Sequence, residues 1–167
     1  MFEKFGEFDS YEELNTAAAA QKEEGDFQAI YDIAEENGLD RNDAEDFING
    51  DVPQFCNPLM AAYGKLAIEE KDLKAPQNIM QDWINYIRVV CDEEITAGKE
   101  DFCLAVRSKS KSLKGCLAVL LKWSFDKQWT VDKDIIKAAD IDASKVTLGI
   151  PDMTTAKRLI REYYGGK

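Results

Sequence analysis

Residues 112–129, Ser-Leu-Lys-Gly-Cys-Leu-Ala-Val-Leu-Leu-Lys-Trp-Ser-Phe-Asp-Lys-Gln-Trp, decide the fold that the sequence predicts. A helix of this length spans about 27 Å, enough to cross a small domain. A helix that is apolar over most of its circumference is buried, because a surface helix carries a single apolar stripe. The stretch therefore predicts the buried central helix of an all-α domain. Its apolar residues follow helical spacing on two sides, with Leu113, Leu117 and Leu120 on one and Ala118, Leu121, Phe125 and Trp129 on the other.

Capping signals predict further helices around this one. Ser10, Asp26 and Asp40 each precede an apolar run with helical spacing, as N-cap residues do. Pro58 and Pro76 each stand at the first position of a predicted helix, which suits proline. We expect one domain, residues 1–167, built as a compact bundle of about eight helices. The only candidate strand is Val146–Ile150.

Four aromatic residues, Phe2, Phe5, Phe8 and Tyr11, recur every three positions before the first predicted helix. This period drifts around a straight helix, so the rings cannot form one stripe. The pattern favours a tail whose rings pack into the core. The alternative is an aromatic patch that contacts a partner.

The composition excludes several kinds of site. There is no histidine, the commonest general base and metal ligand, and no phosphate loop, nucleophile elbow or dinucleotide motif. The four cysteines (Cys56, Cys91, Cys103 and Cys116) stand singly on apolar faces, which is typical of reduced core thiols. No signal peptide and no apolar run of membrane length is recognised. We therefore expect a cytoplasmic protein that is not an enzyme and that binds no metal, cofactor or membrane.

Two acidic motifs superficially resemble sites. Asp40–Glu45 has the spacing of a calcium loop but lacks the glycine that the sharp turn requires, so an acidic helix N-terminus is the favoured interpretation. Asp92-Glu93-Glu94 places three carboxylates at neighbouring helical positions that point in different directions. This second motif is predicted to be a solvated helix end.

Charge is distributed unevenly along the chain. The net charge is −11, yet residues 1–101 hold 25 acidic and 8 basic residues, whereas residues 102–167 hold 7 acidic and 13 basic ones. The excess is strongest in residues 1–51, with 16 acidic and 3 basic residues. Such asymmetry predicts an acidic N-terminal unit (1–51) and a basic C-terminal part (102–167) with different electrostatic tasks. An uneven division of ordinary solvated charges is the alternative.

The acidic unit is a candidate protein-binding face. Carboxylates on stiff helices can imitate a phosphate backbone and occupy a cationic groove that is built for nucleic acid. A role in solubility alone is the competing interpretation. The candidate residues are Glu12, Glu13, Glu23, Glu24, Asp26, Asp32, Glu35, Glu36, Asp43, Glu45 and Asp46.

The basic residues of the C-terminal part are the alternative candidate. Lys157 and Arg161 lie one turn apart on the last predicted helix, where they can contact phosphates. A short helix, a connection and a cation-bearing helix loosely match a helix-turn-helix pattern. The candidate nucleic-acid-binding residues are Arg107, Lys109, Lys111, Lys157, Arg158 and Arg161.

Asp101-Phe102-Cys103-Leu104-Ala105-Val106, followed by Lys111-Ser112-Leu113-Lys114-Gly115-Cys116, resembles a segment of small mobile-element proteins. These are the PcfK-like proteins and related anti-CRISPR inhibitors of RNA-guided nucleases. The resemblance implies a small phage-borne or plasmid-borne cytoplasmic protein that binds a host machine without catalysis. Together with the acidic unit, it predicts an inhibitor whose partner has a cationic groove, such as an RNA-guided nuclease. Nucleic-acid binding by the basic C-terminal helix stays as the alternative.

Overall fold

The structure is a computed structural model that describes residues 4–74 and 79–165. The described residues form nine helices and one two-stranded sheet, which confirms the predicted all-α class. The opening of a helix at Pro76 falls on residues outside this description. The elements are α1 (Tyr11–Glu24), α2 (Phe27–Glu36), α3 (Arg41–Asn49), α4 (Pro58–Lys71), α5 (Ile79–Thr96), α6 (Asp101–Arg107), α7 (Leu113–Asp126), β1 (Trp129–Thr130), α8 (Lys133–Ala138), β2 (Thr147–Leu148) and α9 (Met153–Gly165).

Side-chain caps begin the first three helices where the sequence predicts them. The side chains of Ser10, Asp26 and Asp40 each accept a hydrogen bond from a backbone N–H in the first turn of the helix that follows. These N–H groups have no acceptor within the helix. Each capping side chain supplies the hydrogen-bond acceptor that water would otherwise have to supply. Local chemistry therefore sets these boundaries.

The first hydrophobic cluster lies among α1, α2, α3 and the connection that follows them. Phe5, Phe8 and Tyr11 are half-buried and pack against it, which confirms the prediction of a tail that covers the core. Phe2 lies outside the described residues. The buried members are Leu14, Ala18, Ile30, Ile33, Ala34, Ala44, Phe47, Phe55, Cys56 and Ala61.

The second cluster lies among α4, α5, α6, α7 and α9. Helix α4 joins the two clusters, because Ala61 belongs to the first and Ala62 and Leu66 belong to the second. Helix α6 contacts α4, α5 and α9, and four of its seven residues are buried. The most enclosed side chains of this cluster include Trp83, Ile84, Ile87, Leu113, Leu120 and Ile160.

The prediction that residues 112–129 form a buried central helix is wrong in two respects. Helix α7 ends at Asp126, and Trp129 lies in β1, where it pairs with Leu148. Leu113 and Leu120 are buried against the second cluster, but Leu121 and Phe125 face away from it and are exposed. Helices α4, α5 and α9 contact α7, whose Leu113 and Leu120 face the second cluster, while the lane of Leu121 and Phe125 remains on the surface. Apolar residues around a helix therefore do not by themselves guarantee burial.

Gly115 marks a close approach between α7 and α9. A β-carbon at this position would lie 2.1 Å from the Tyr163 hydroxyl oxygen. That hydroxyl also accepts a hydrogen bond from the Ser112 N–H at 3.1 Å. The glycine near the start of α7 thus meets a tyrosine near the end of α9. Gly149, just before α9, lies against the Ser124 carbonyl near the end of α7, so the two helices run antiparallel.

All four cysteines are buried free thiols, as predicted. Burial raises the pKa of Cys56 and of Cys116 to about 12. Because the thiolate is the reactive form, these two groups are inert at neutral pH and serve as small apolar side chains.

Candidate functional site

The acidic unit presents its carboxylates on the outer sides of α1, α2 and α3. The inner sides of these helices are occupied by the first hydrophobic cluster, with Leu14, Ile33 and Phe47 buried. The charged positions lie between these apolar ones, so helical geometry turns them outward. Of the candidate acids, Asp32, Glu36 and Asp43 are half-buried, and the exposed ones are Glu12, Glu13, Glu23, Glu24, Asp26, Glu35, Glu45 and Asp46.

The three basic residues within residues 1–51 are each held in a local contact. Lys4 forms an ion pair with Asp32, with Nζ and Oδ2 2.6 Å apart. Lys22 donates to the Phe47 carbonyl and lies over the Phe47 ring, and the Arg41 guanidinium stacks 3.9 Å from the centroid of the Tyr31 ring. In these contacts, neither Lys22 nor Arg41 pairs with a carboxylate. Most of the acidic excess of this unit is therefore not neutralised from within.

Some of the candidate acidic residues stabilise the acidic unit through local hydrogen bonds. The Glu36 carboxylate accepts from the backbone N–H groups of residues 4–6 and so ties the aromatic tail to α2. The Glu13 carboxylate accepts from the Asp9 N–H at 2.8 Å, which completes the cap of α1. The hydrogen bond from Lys4 lowers the pKa of Asp32. Glu13, Asp32 and Glu36, like Asp26 at the cap of α2, therefore have local structural roles, whereas the other exposed carboxylates project into solvent.

A groove beside α3 combines carboxylates with apolar walls. Asp43 and Asp46 border a cavity of about 220 Å³ whose other walls include Val52, Phe55 and Met60. Burial, followed by the nearby charges of Asp40 and Asp46, raises the pKa of Asp43. A long side chain with a cationic head and an aliphatic stem, such as lysine or arginine, matches this lining. The sequence does not predict this groove; the available signal is the apolar residues Val52, Phe55 and Met60 that follow an acidic helix.

Arg107 is not a surface cation, so its predicted role in binding phosphate is wrong. Its side chain is only 2% exposed. The guanidinium donates to the carbonyls of Phe8 and Ala61 and, at 2.5 Å, to the Asn37 side-chain oxygen. A buried guanidinium with these acceptors joins the aromatic tail, α2 and α4 from the end of α6. Its role is to hold these segments together.

The other two cations of the 107–111 loop differ from each other. Lys109 keeps an exposed side chain, while its backbone N–H donates to the Asp9 carboxylate at 2.6 Å. Lys111 lies over the ring of Tyr163, with Nζ 5.0 Å from the centroid. The loop is therefore fastened to the acidic unit at one point and to α9 at another.

The cations of α9 pair with acids instead of forming an open basic face. Lys157 contacts Glu93 at 2.5 Å, and Arg161 contacts both Glu93 and Glu94 at 2.7 Å. The predicted solvated helix end at Asp92-Glu93-Glu94 is thus wrong for Glu93 and Glu94, which dock α9 onto α5. Arg158 pairs with Glu162 one turn further along α9, at 2.6 Å. These contacts remove most of the support for nucleic-acid binding by this helix.

The segment that carries the family resemblance is largely structural. Asp101–Arg107 forms α6, and Ser112 caps α7 by accepting a hydrogen bond from the Gly115 N–H at 3.1 Å. Cys103, Leu113 and Cys116 within the segment are buried in the second cluster. The segment therefore positions the acidic unit but supplies little of the outer surface.

Two further findings bear on chemistry. Across residues 4–74 and 79–165, no group of three or more cysteine, aspartate or glutamate side chains is arranged to hold a metal ion. Within the same residues, no helix combines the length and the hydropathy that crossing a bilayer requires. Compared with known proteins, the chain matches no family model, no curated protein and no solved structure.

Proposed function

We propose that this chain is a non-enzymatic protein of a phage or other bacterial mobile element that inhibits a nucleic-acid-handling machine in the cytoplasm. Its acidic unit would occupy a cationic groove of the partner, and an RNA-guided nuclease is the partner class that the resemblance at residues 101–116 favours. The observation that carries the proposal is the acidic unit itself, whose exposed carboxylates face solvent while its three basic residues are engaged locally.

Charge density explains why all three helices would be needed. Duplex DNA carries one negative charge per about 1.7 Å of its axis. Helix α1, with 14 residues, is about 21 Å long and bears four carboxylates, so its charges are about three times sparser. Three acidic helices packed together approach the density that a duplex presents. Cationic channels that hold a guide–target duplex contact its backbone and not its sequence, so a charge mimic can compete there.

The groove beside α3 adds a specific anchor to this general attraction. A lysine or arginine of the partner can place its head between Asp43 and Asp46 and its stem against Val52 and Met60, which are partly exposed. Long-range attraction then sets the rate of association, and the groove sets the orientation.

The test uses guide-loaded, RNA-guided nucleases and the full-length chain in a DNA-cleavage assay. A variant with Glu23→Gln, Glu24→Gln, Glu45→Gln and Asp46→Asn should lose inhibition by at least about tenfold, since exposed charges near a cationic groove act jointly. A matched control removes four exposed acids elsewhere, with Asp82→Asn, Glu100→Gln, Asp142→Asn and Glu162→Gln. The control should inhibit within about twofold of the wild-type chain.

Salt dependence tests the mechanism separately from the partner. Inhibition should weaken steeply between about 50 mM and about 300 mM salt, because exposed charges are screened over a Debye length. Equal inhibition by both four-residue variants, or inhibition that is unchanged by salt, would overturn charge mimicry. A panel of nucleases that are all unaffected by excess protein would overturn the proposed partner class.

A further inference from the structure

The groove beside α3 has features that single out one kind of ligand. Asp43 and Asp46 stand at one border, and Val52 and Met60 form apolar walls. We propose that this groove binds the side chain of an arginine in a protein partner, with the backbone of the partner lying along residues 52–54. The inference rests on the proposed function and names the residue type by which the partner is held.

The size of the groove suits one side chain. Its volume is about 220 Å³, below the roughly 300 Å³ at which pockets for small organic ligands begin. The lining comes from α3, from the connection 52–57 and from Met60 near the start of α4. The groove therefore lies between two helices of the chain and is open to a side chain that enters from solvent.

The buried side of the groove is held in place by the core. Phe55 and Cys56 are each only 1% exposed, and the Phe55 ring packs edge-to-face against Phe47 with centroids 5.7 Å apart. The Asn15 side chain donates to the Cys56 carbonyl at 2.9 Å and accepts from the Cys56 N–H at 3.0 Å. The groove is thus formed before a ligand arrives, and a preformed site has little ordering entropy to lose on binding.

The carboxylates of the groove have no cation of their own. Asp43 and Asp46 are three residues apart and so lie on the same side of α3. Among the described residues, no hydrogen bond or ion pair involves the Asp43 carboxylate, and burial together with the charges of Asp40 and Asp46 raises its pKa. A cation placed between Asp43 and Asp46 removes this repulsion.

Arginine matches the groove better than lysine does. A guanidinium offers five N–H donors in a planar fork and can serve Asp43 and Asp46 together, whereas an ammonium is a compact point charge. The guanidinium is also more weakly hydrated, so its transfer from water to a groove with apolar walls costs less. The aliphatic stem then covers Val52 and Met60, which are both half-buried.

The backbone beside the groove is available to a peptide. Within the part of the chain that the structure describes, no hydrogen bond is formed by the backbone of Val52, Pro53 or Gln54. Pro53 and Gln54 are exposed, so their carbonyl oxygens can accept from the N–H groups that flank an arginine in a polypeptide. A free guanidinium compound would leave these carbonyls unused. The combination favours an arginine that belongs to a protein segment.

An NMR titration of the isotope-labelled, full-length chain, with no nuclease present, tests the inference. The probes are the blocked peptide Ala-Gly-Arg-Gly-Ala and two versions of it in which lysine or citrulline, the uncharged analogue of arginine, replaces the arginine. The methyl signals of Val52 and Met60 should shift with the arginine peptide, with a Kd on the order of 1 mM. The lysine peptide should bind at least about fivefold more weakly, and the citrulline peptide should not bind.

Two variants locate the binding site. Asp43→Asn should weaken binding of the arginine peptide by at least about fivefold, because the guanidinium loses one of its two carboxylates. Asp51→Asn is the matched control, since Asp51 is an exposed carboxylate just after α3 that does not border the groove. This control should change the Kd by less than about twofold. Circular dichroism checks that each variant is folded.

Several results would overturn the inference. Equal binding of the arginine and lysine peptides, or equal weakening by Asp43→Asn and Asp51→Asn, would indicate general attraction of charge in place of a specific groove. Shifts confined to signals other than those of the groove would place the peptide on another surface.

The titration separates this inference from the proposed function. An arginine peptide that binds in the groove, while the chain inhibits no nuclease, would support the groove and contradict the proposed function. Inhibition of a nuclease with no binding of the arginine peptide in the groove would contradict the inference alone.

Discussion

The acidic unit and the C-terminal part differ in which residues they bury and which they expose. In residues 4–51 the large apolar side chains are mostly covered, and the carboxylates project outward. In the C-terminal part, Arg107 is buried and α9 pairs its cations with acids, while several large apolar side chains, such as Leu121, Phe125 and Met153, are exposed. The comparison shows that a local excess of charge along the sequence becomes a charged surface only where the fold brings no oppositely charged side chain into contact with it.

The largest expected effect separates the two sides of α7. Leu120→Asp should unfold the chain or destabilise it by more than about 4 kcal/mol, because it places a carboxylate in the second cluster, where Leu120 is fully buried. Urea denaturation followed by circular dichroism measures the change. Ala118→Asp, on the exposed side of the same helix, is the control and should cost less than about 1 kcal/mol. Equal losses of unfolding free energy for the two variants would instead indicate that α7 is buried on all sides.

The next test concerns the buried cation. Arg107→Ala should lower the free energy of unfolding by about 3 kcal/mol, because the Asn37 side chain and two backbone carbonyls lose their donor in the interior. Lys109→Ala, two residues away and exposed, should change it by less than about 0.5 kcal/mol. Urea midpoints give both values. A small loss for Arg107→Ala would return this residue to the list of candidate surface cations.

The fold was predictable where its causes are local. Caps at Ser10 and Asp40 act within one helical turn, and their positions follow from residue type and spacing. The acidic unit was predictable for a related reason, since its acids have few bases nearby in the sequence. The resulting prediction needed no knowledge of the packing between helices.

The fate of the basic residues was not predictable because it depends on distant contacts. Arg107 stands in a polar, basic segment, yet its acceptors include the Phe8 carbonyl, 99 residues away. Arg161 meets Glu94 across 67 residues. Likewise, two apolar lanes on α7 predict burial, but only the placement of α9 and α5 decides which lane is covered. The groove beside α3 also arises from such non-local placement.

A smaller effect tests the pairs between α9 and α5. The hydrogen bonds from Lys157 and Arg161 lower the pKa of Glu93. A depressed pKa stabilises the folded state above the unfolded value of about 4.3, and this stability is lost as pH falls through the folded value. Because Glu93 is 42% exposed and screened, Glu93→Gln should cost only about 0.5 kcal/mol at pH 7.

The pH dependence of that cost decides whether the pairing is its cause. The difference between Glu93→Gln and wild type in urea should shrink as pH falls below about 4.3 and shrink at about 1 M salt. Glu162→Gln is the control variant, because it removes the pair with Arg158 within α9 and leaves the contacts between α9 and α5 intact. A loss for Glu93→Gln that is the same at pH 3 and pH 7 would assign it to packing.

The smallest effect has the opposite sign and lies in the acidic unit. Burial and the charges of Asp40 and Asp46 raise the pKa of Asp43, so its ionised form weakens the folded state as pH rises. Asp43→Asn should therefore stabilise the chain by a few tenths of a kcal/mol at pH 7, with no gain near pH 3, where the wild-type carboxyl is protonated. The position of Asp43 in the first turn of α3 offsets part of this gain, because a carboxylate there favours the helix dipole. If thermal melts show a loss at pH 7, the dipole outweighs the repulsion. If they show a gain while inhibition falls, Asp43 is kept charged at the expense of stability, as expected of a residue that binds a cationic partner.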